Sequence, residues 1–523
     1  MKYASAPSSQ RFGVACQGWE MVRCGVITSR NAPLRTGLGE RFRAAAKVHP
    51  NKTALICCDE MVTYQALDQT VTRVAQWLLQ EGLKPGDRVG ILWYNEITAV
   101  TLFLACWRAG MIALPVISRM KAPELAYILG HATPAVLFAH PKLLQVATEA
   151  QASSGHPCRI VAGLPEDLPA FDEAALPANE IDWPALIIYT SGTTARPKGV
   201  THTHRTLATS TEAMWELGPT GIGMAVTSIM HPSGLYCITL PTLLASGTLV
   251  LIPAFDPAAL LDAIERHRCT NTFLLPAMVQ GVVLEQLKRQ RDMSSLQWVL
   301  AGGDSVPVAL QTQFRDACGL PLREGIGMTE VCPILVNPLD ALRPGSLGVP
   351  SSGVEARIVD SDGRPTPDGE IGELVVHSPF NFIGYWNNPE ETAAALRNGW
   401  LHTGDLVKRD ASGYYWFQGR KKQIIVRESY NVAPQEVEEV LYRHPAVFEA
   451  GVFGLPDPVS GEKVIATVSL RPGKQVDETE LRKFARNHLN DLKVPEKIHF
   501  LAELPKGLSG KVDRRALKEM AQG

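Results

Sequence analysis

The sequence has no C-x-x-C pair and no regular cysteine spacing; its ten cysteines are scattered from Cys16 to Cys332, with only Cys57 and Cys58 adjacent. That argues against a structural zinc site or a disulfide framework and reads as a set of reduced, cytosolic thiols. A dominant charge is also missing. With 51 Lys and Arg against 53 Asp and Glu, the formal net charge is -2, so no overall field recruits nucleic acid or an anionic membrane, and a small-molecule partner fits better. Low-complexity tracts and internal repeats are absent, so neither disorder nor a solenoid is the expectation. No apolar run reaches the ~18–20 residues of a membrane span. The nearest, "ITAVTLFLACWRAGMIALPVI", is broken by Arg108 and Gly110 and is expected to be a buried helix and strand.

What is present is a globular composition, 45% hydrophobic and 20% charged over 523 residues, too long for one ordinary core. Residues 1–34 carry Arg11, Arg23 and Arg30 against the lone acid Glu20 and lack a secretory apolar core. They are expected to be a poorly ordered leader rather than a transit peptide. From Leu38 to Gly419, apolar β-rich runs such as "RVGILWY", "GTLVLIPA" and "QWVLAGG" alternate with helical patterns such as "LDQTVTRVAQWLLQEGL". The alternation predicts an α/β fold with parallel-rich sheets. Between Val349 and Trp416 the runs shorten and Asp-Gly turns appear, predicting a small β subdomain. About a hundred residues of α+β character close the chain. The expected organisation is a large domain over 35–419 and a small mobile lid over 420–523, with Lys421 and Lys422 as the solvated linker.

Several stretches carry chemistry. "YTSGTTARPKGV" follows the apolar run "PALIIYT", so it is a loop held at the end of a buried strand. Gly192 and Gly199 allow close backbone approach, Thr190, Ser191, Thr193 and Thr194 offer hydroxyl donors, and Lys198 supplies a point charge; together they suit a polyphosphate. The general G-x-x-x-x-G-K-[ST] pattern fails, because Pro197 holds the second glycine position and Gly199 replaces the final hydroxyl. Further along, "LHTGDL" is expected to place Asp405 in a tight turn, where its carboxylate grips vicinal hydroxyls. "LSGKVDRR" ends a flexible loop in Lys511.

"YTSGTTARPKGV", "AGGDSVP", "EGIGMTE", "TGD", "GRKKQIIV" and "LSGKVDRR" occur in the order and approximate spacing of the adenylate-forming superfamily, which the chain resembles from about Leu38 to its C-terminus. The resemblance, of acyl-CoA synthetase type, implies a two-step reaction. A carboxylate attacks the α-phosphate of Mg²⁺-ATP to give acyl-AMP and pyrophosphate, and the thiol of coenzyme A then displaces AMP. By motif position Thr190, Ser191, Gly192, Thr193, Thr194 and Lys198 contact phosphates, Thr329 the α-phosphate, and Glu330 with Thr190 holds Mg²⁺. Gly303, Asp304, Glu324 and Gly325 line the adenine, Asp405 and Arg420 grip the ribose, and Lys511 stabilises the charge building on α-phosphate and carboxylate. Lys511, Thr329 and Lys198 are thus the catalytic set. His231 takes the place of an acyl-pocket gate, with Gly327 and Met328 as further substrate residues, and Arg427, Glu428 and Ser429 lie on the expected CoA path.

Two positions depart from the family pattern. Ile326 stands where relatives place an aromatic over adenine, which predicts retained but weaker stacking. Glu428 and Ser429 stand where many acyl-CoA synthetases carry glycines, which makes the thiol step the less secure inference. The leading expectation is a cytoplasmic ATP-dependent ligase making an acyl-CoA from a medium- or long-chain fatty acid, with an aryl acid as the other class, because the pocket segments are apolar and lack an arginine for a second carboxylate. The alternatives are an acyl-AMP ligase loading a carrier-protein thiol and a degenerate nucleotide-binding protein. A homodimer is left open.

Overall fold

Arg108, the charge that interrupts the longest apolar run, is buried at the end of the helix Ile97–Arg108, where its Nη2 meets Asp68 Oδ1 at 2.6 Å and Nη1 meets Thr72 Oγ1 at 2.7 Å. Its third contact is the Gly39 carbonyl at 3.0 Å. A buried guanidinium with a carboxylate and two further acceptors on its terminal nitrogens, and only Nε left without a partner, is a paired core charge, not a membrane stop. The strand Ile112–Ile117 follows, as the run of apolar residues predicts. The structure, a computed structural model, describes residues 36–172, 176–177, 179–190, 196–218, 220–428, 430–507 and 510–522. The expected leader, most of the phosphate loop and Ser429 therefore lie outside the described residues.

Among the described residues the strands form four sheets. A seven-stranded sheet contains the strands Arg88–Trp93, Ile112–Ile117 and Pro184–Thr190, which run parallel; Lys198–Thr203 follows antiparallel, and the short strand Gly384–Tyr385 closes that side. A nine-stranded sheet is parallel through its centre, from Thr53–Cys57 to Leu322–Ile326, with antiparallel edges. Their central strands are almost wholly buried, as parallel strands covered by helices on both faces must be. The helix Ile97–Arg108 sits in the core between them, with Phe103 and Trp107 nearly inaccessible.

The third sheet is antiparallel and five-stranded, from Glu355–Val359 to Tyr415–Arg420, and is the expected β subdomain. Here one expectation is corrected. Asp405 is not in a tight turn but inside the strand Trp400–Arg409, opposite Arg420. Gly404, at φ +73°, and register shifts beside it mark an irregular strand that in sequence reads as a turn. The fourth sheet, built on the long hairpin Val447–Asp457 and Gly461–Leu470, carries the C-terminal α+β segment with its helices Pro434–Tyr442 and Arg514–Gln522. No helix among the described residues is long and apolar enough to cross a membrane.

Candidate active site

The strand Pro184–Thr190 ends in Thr190, whose backbone partner across the antiparallel pair is Lys198. The two strands thus hold both ends of the hydroxyl-rich loop; Ser191, Gly192, Thr193 and Thr194 themselves lie outside the described residues. The ends are packed tightly. A Cβ on Gly199 would come within 2.9 Å of Ile187 Cγ2 and 3.1 Å of the Tyr189 ring, so only glycine fits. Tyr189 hydroxyl lies 2.6 Å from His131 Nδ1, and Tyr127 hydroxyl donates to the Pro197 carbonyl at 3.3 Å.

Thr329 and Glu330 follow the strand Leu322–Ile326 on a turn closed by Met328 N–H donating to the Val331 carbonyl. Both are buried. His202, buried beneath them, donates from Nε2 to the Thr329 carbonyl at 2.8 Å. Burial holds this imidazole at about 4 and therefore neutral. Glu330 Oε1 accepts a 2.8 Å hydrogen bond from Tyr385 hydroxyl. Its carboxyl is raised by burial, and Tyr385, Arg420 and Lys198 work in the opposite direction. Gly327 packs against Cys332, whose Sγ a Cβ would meet at 2.8 Å.

Asp405 is fully buried; Arg420 Nε donates to its Oδ1 at 2.8 Å, while Oδ2 has no hydrogen-bond partner. A buried carboxylate oxygen left without a donor is costly unless a ligand hydroxyl completes it. Lys511 is half-buried, its ammonium lowered first by burial, with Asp304 and Asp405 restoring it and Arg420 and Arg514 opposing. It lies over Gly303: a Cβ there would be 3.8 Å from Lys511 Cε. The Lys511 charge also contributes, after burial, to holding His231 at about 4. His231 caps the short turn Pro232–Gly234, its Nδ1 accepting from Ser233 N–H. Lys511, Asp304, Asp405, Arg420 and His231, spread over most of the chain, therefore converge.

Glu324 is buried. Its side chain turns into the protein, where Oε1 accepts from Val306 N–H at 3.2 Å and Oε2 from Gln311 Nε2 at 2.8 Å, and burial pushes its carboxyl to about 8. Only its backbone faces the neighbouring strand, through the carbonyl that accepts from Asn337. Gly325 and Ile326 continue that strand. The CoA-path residues lie in another sheet. Arg427 bonds the Leu492 carbonyl and pairs with Glu496 at 3.1 Å, and the exposed Glu428 adopts φ +49° with its N–H on the Ser460 carbonyl. None of these contacts reaches the Lys511 cluster.

Sequence reading missed several supports. Glu438 and Arg514 form a buried bidentate pair, both Nη2 contacts being 2.8 Å, and Glu438 also accepts from Val452 N–H. This pair fixes the loop that carries Lys511 three residues earlier. Tyr385 and Glu391 bracket Lys198. The run "GYWNNPEE", with its aromatic, capping Asn388 and proline, was the signal for a structured turn there.

The strand-held ends of the hydroxyl-rich loop, a buried carboxylate with one unpartnered oxygen and a lysine of the C-terminal segment beside it make up the candidate site. The chain belongs to the AMP-binding enzyme family: it matches that family over residues 42–386 and the AMP-binding enzyme C-terminal domain over residues 436–511. It is 37% identical over 484 residues to a feruloyl-CoA synthase of an Amycolatopsis species, covering 91% of this chain and 97% of that protein. It is 32% identical to a long-chain-fatty-acid–CoA ligase of Bacillus subtilis (strain 168), covering 90% and 92%. Among solved structures, an anthranilate CoA ligase in complex with anthranoyl-AMP superposes with a TM-score of 0.88 at 28% identity, over 94% of this chain and 98% of that one. The protein is an acid–CoA ligase that uses ATP and CoA.

Proposed function

We propose that the enzyme activates a hydrophobic monocarboxylic acid as acyl-AMP and passes the acyl group to CoA, with the roles divided as follows. Asp405 and Arg420 take the ribose hydroxyls, Gly303, Asp304 and Gly325 flank the adenine, Thr190, Lys198 and the intervening loop take the phosphates, and Thr329 the α-phosphate. Lys511 stabilises the charge that gathers on the α-phosphate and carboxylate in the first step. The convergence of Lys511 with Asp405 and His231 carries this reading. Among the described residues no three His, Cys, Asp or Glu side chains gather as a metal cage. One buried carboxylate, Glu330, with the Thr190 hydroxyl fits Mg²⁺, which takes one or two protein oxygens and completes its shell with phosphate and water. When bound there it would neutralise polyphosphate charge.

The small segment from Arg420 is the unit that moves between the two steps, turning about Lys422, where Gln423 and Ile424 N–H groups already close a turn on the Arg420 carbonyl. The cytoplasm, where ATP and CoA are available, is the compartment. For the acid, an oxygenated aryl acid is favoured over a fatty acid. Tyr236, five residues after His231, is buried with no partner for its hydroxyl, and its neighbours include Cys332 and Glu330. An alkyl chain leaves that hydroxyl unsatisfied, at a cost of roughly 1–3 kcal/mol, whereas a phenolic or ether oxygen pairs with it. A carrier-protein thiol as acceptor is the second reading, favoured by the side chain at Glu428. A panel of hydroxy- and methoxy-aryl, unsubstituted aryl and C8–C16 fatty acids, followed by pyrophosphate release and by CoA-dependent AMP release, tests both. Best turnover with fatty acids overturns the substrate assignment, and AMP release indifferent to CoA overturns the acceptor.

A further inference from the structure

Lys198 and Glu391 form an ion pair, Nζ to Oε2, at 2.5 Å. Lys198 opens the strand Lys198–Thr203 at the exit of the phosphate loop. Glu391 lies in the first turn of the helix Pro389–Ala395, its N–H capped by Asn388 Oδ1. The same ammonium sits 4.9 Å from the centre of the Tyr385 ring, and Tyr385 hydroxyl donates to Glu330. The lysine is thus held between a carboxylate and an aromatic face. Its side chain is 16% exposed against 39% for Glu391, so the carboxylate is the more accessible partner.

We propose that Glu391 is a positioning residue that competes with the β- and γ-phosphates for Lys198, holding the ammonium in the nucleotide-free enzyme and yielding it when ATP or pyrophosphate binds. The inference rests on the reading of Lys198 as a phosphate ligand. A polyphosphate carries more negative charge than one carboxylate, so the exchange runs forward on binding. An ammonium is a compact point charge rather than a planar fork, so it is readily re-aimed from one anion to the other. The displaced carboxylate is not stranded: it is partly solvated, and the charge of Lys422 acts on it as well as that of Lys198. Breaking the pair is a cost that ATP and pyrophosphate both meet and AMP does not, since AMP has no β-phosphate. The pair therefore lowers affinity for nucleotide before reaction and favours departure of pyrophosphate after it, because Lys198 has a partner to return to.

The test needs no knowledge of the acid. Calorimetric titrations of the full-length protein with Mg²⁺ and the α,β-methylene analogue of ATP, with inorganic pyrophosphate and with AMP are compared for wild type, Glu391→Gln and Glu391→Ala. Both variants should bind the ATP analogue and pyrophosphate about two- to fivefold more tightly, the range a partly exposed ion pair commands, with AMP affinity unchanged. Unchanged or weaker binding of the two polyphosphates overturns the proposal. So does a parallel change in AMP, which would show that the helix had been disturbed and Glu391 is structural. In a Lys198→Met background Glu391→Gln should have no effect. If Lys198→Met alone leaves the analogue's affinity intact, it is the assignment of Lys198 to phosphate that fails; if it weakens binding while Glu391→Gln does nothing, only the competition fails.

Discussion

Arg420 and Asp405 face each other on paired strands, with one 2.8 Å hydrogen bond between them and the second carboxylate oxygen of Asp405 buried and unpartnered. Burial raises the Asp405 carboxyl, and the charge and hydrogen bond of Arg420 work against that rise. The unpartnered Oδ2 of Asp405 is the oxygen proposed above to meet the ribose hydroxyls. Asp405→Asn keeps the shape and loses the charge. It should weaken AMP and ATP alike by about 10- to 100-fold, the value of hydrogen bonds to a charged group, and leave pyrophosphate binding unaltered. Equal AMP binding by wild type and variant would remove Asp405 from the nucleotide site.

Lys511 is proposed to serve the first half-reaction. On that proposal its position over Gly303 and beside Asp405 puts its charge where the α-phosphate and acyl carboxylate would meet. Lys511→Ala should lower pyrophosphate release by about 10²–10³, as for loss of one oxyanion-stabilising donor, while preformed acyl-AMP is still converted by CoA. Stopped-assay measurement of the two half-reactions separately checks this, and equal losses in both would contradict it.

The secondary structure was legible because it depends on neighbours in sequence. Alternating apolar runs marked the parallel strands, and "PALIIYT" predicted the strand Pro184–Thr190. Asp405 was misplaced because a glycine at positive φ inside a strand looks the same in sequence as a glycine in a turn. What could not be read were partners joined only by the fold: Lys198 with Glu391 is 193 positions apart, Glu438 with Arg514 76, and Tyr385 with Glu330 55. Nothing local distinguishes Glu391 from Glu390, or shows that the Glu324 carboxylate turns towards Gln311. These facts arise from tertiary packing, which sets charge and burial after local propensity has been spent.

His204 gives a pH prediction away from the chemistry. Leu38 N–H donates to its Nδ1 at 3.3 Å, so that nitrogen must carry no proton, and burial holds the ring at about 4. The folded value lies below the ordinary 6.5. The unfolded chain therefore takes up a proton first as pH falls, and stability due to this residue is complete above about 6.5 and declines towards 4. Buried carboxyls with raised values, such as Glu330 and Asp405, act in the opposite sense, so the difference between variants is the useful quantity. Relative to wild type, His204→Gln should gain stability progressively from pH 6.5 to 4.5, by up to about 1.4 kcal/mol per pH unit. Denaturant midpoints that shift in parallel at every pH would show that the ring takes up its proton as readily in the folded protein as in the unfolded chain.

Glu428 carries the last prediction, because its backbone and its charge point to different consequences. At φ +49° it occupies a region that favours glycine. Relief of strain in Glu428→Gly, of roughly 1 kcal/mol, is largely offset by the greater freedom of glycine in the unfolded chain, so stability should change by less than about 1 kcal/mol. The charge is the larger matter. Arg427 is committed to Glu496 and the Leu492 carbonyl, so it does not draw the Glu428 carboxylate aside. If the hairpin reaches the thiol path when the C-terminal segment turns, that carboxylate meets the phosphates of CoA, and a Debye length of about 8 Å at physiological salt leaves part of the repulsion in place. Thioester formation from preformed acyl-AMP should therefore be faster in Glu428→Gly, most clearly as a lower KM for CoA, with pyrophosphate release unchanged. Raising ionic strength should narrow the gap between the two proteins. A variant with the same KM for CoA and the same salt dependence as wild type would place Glu428 away from the path, and a slower one would make its side chain part of acceptor recognition.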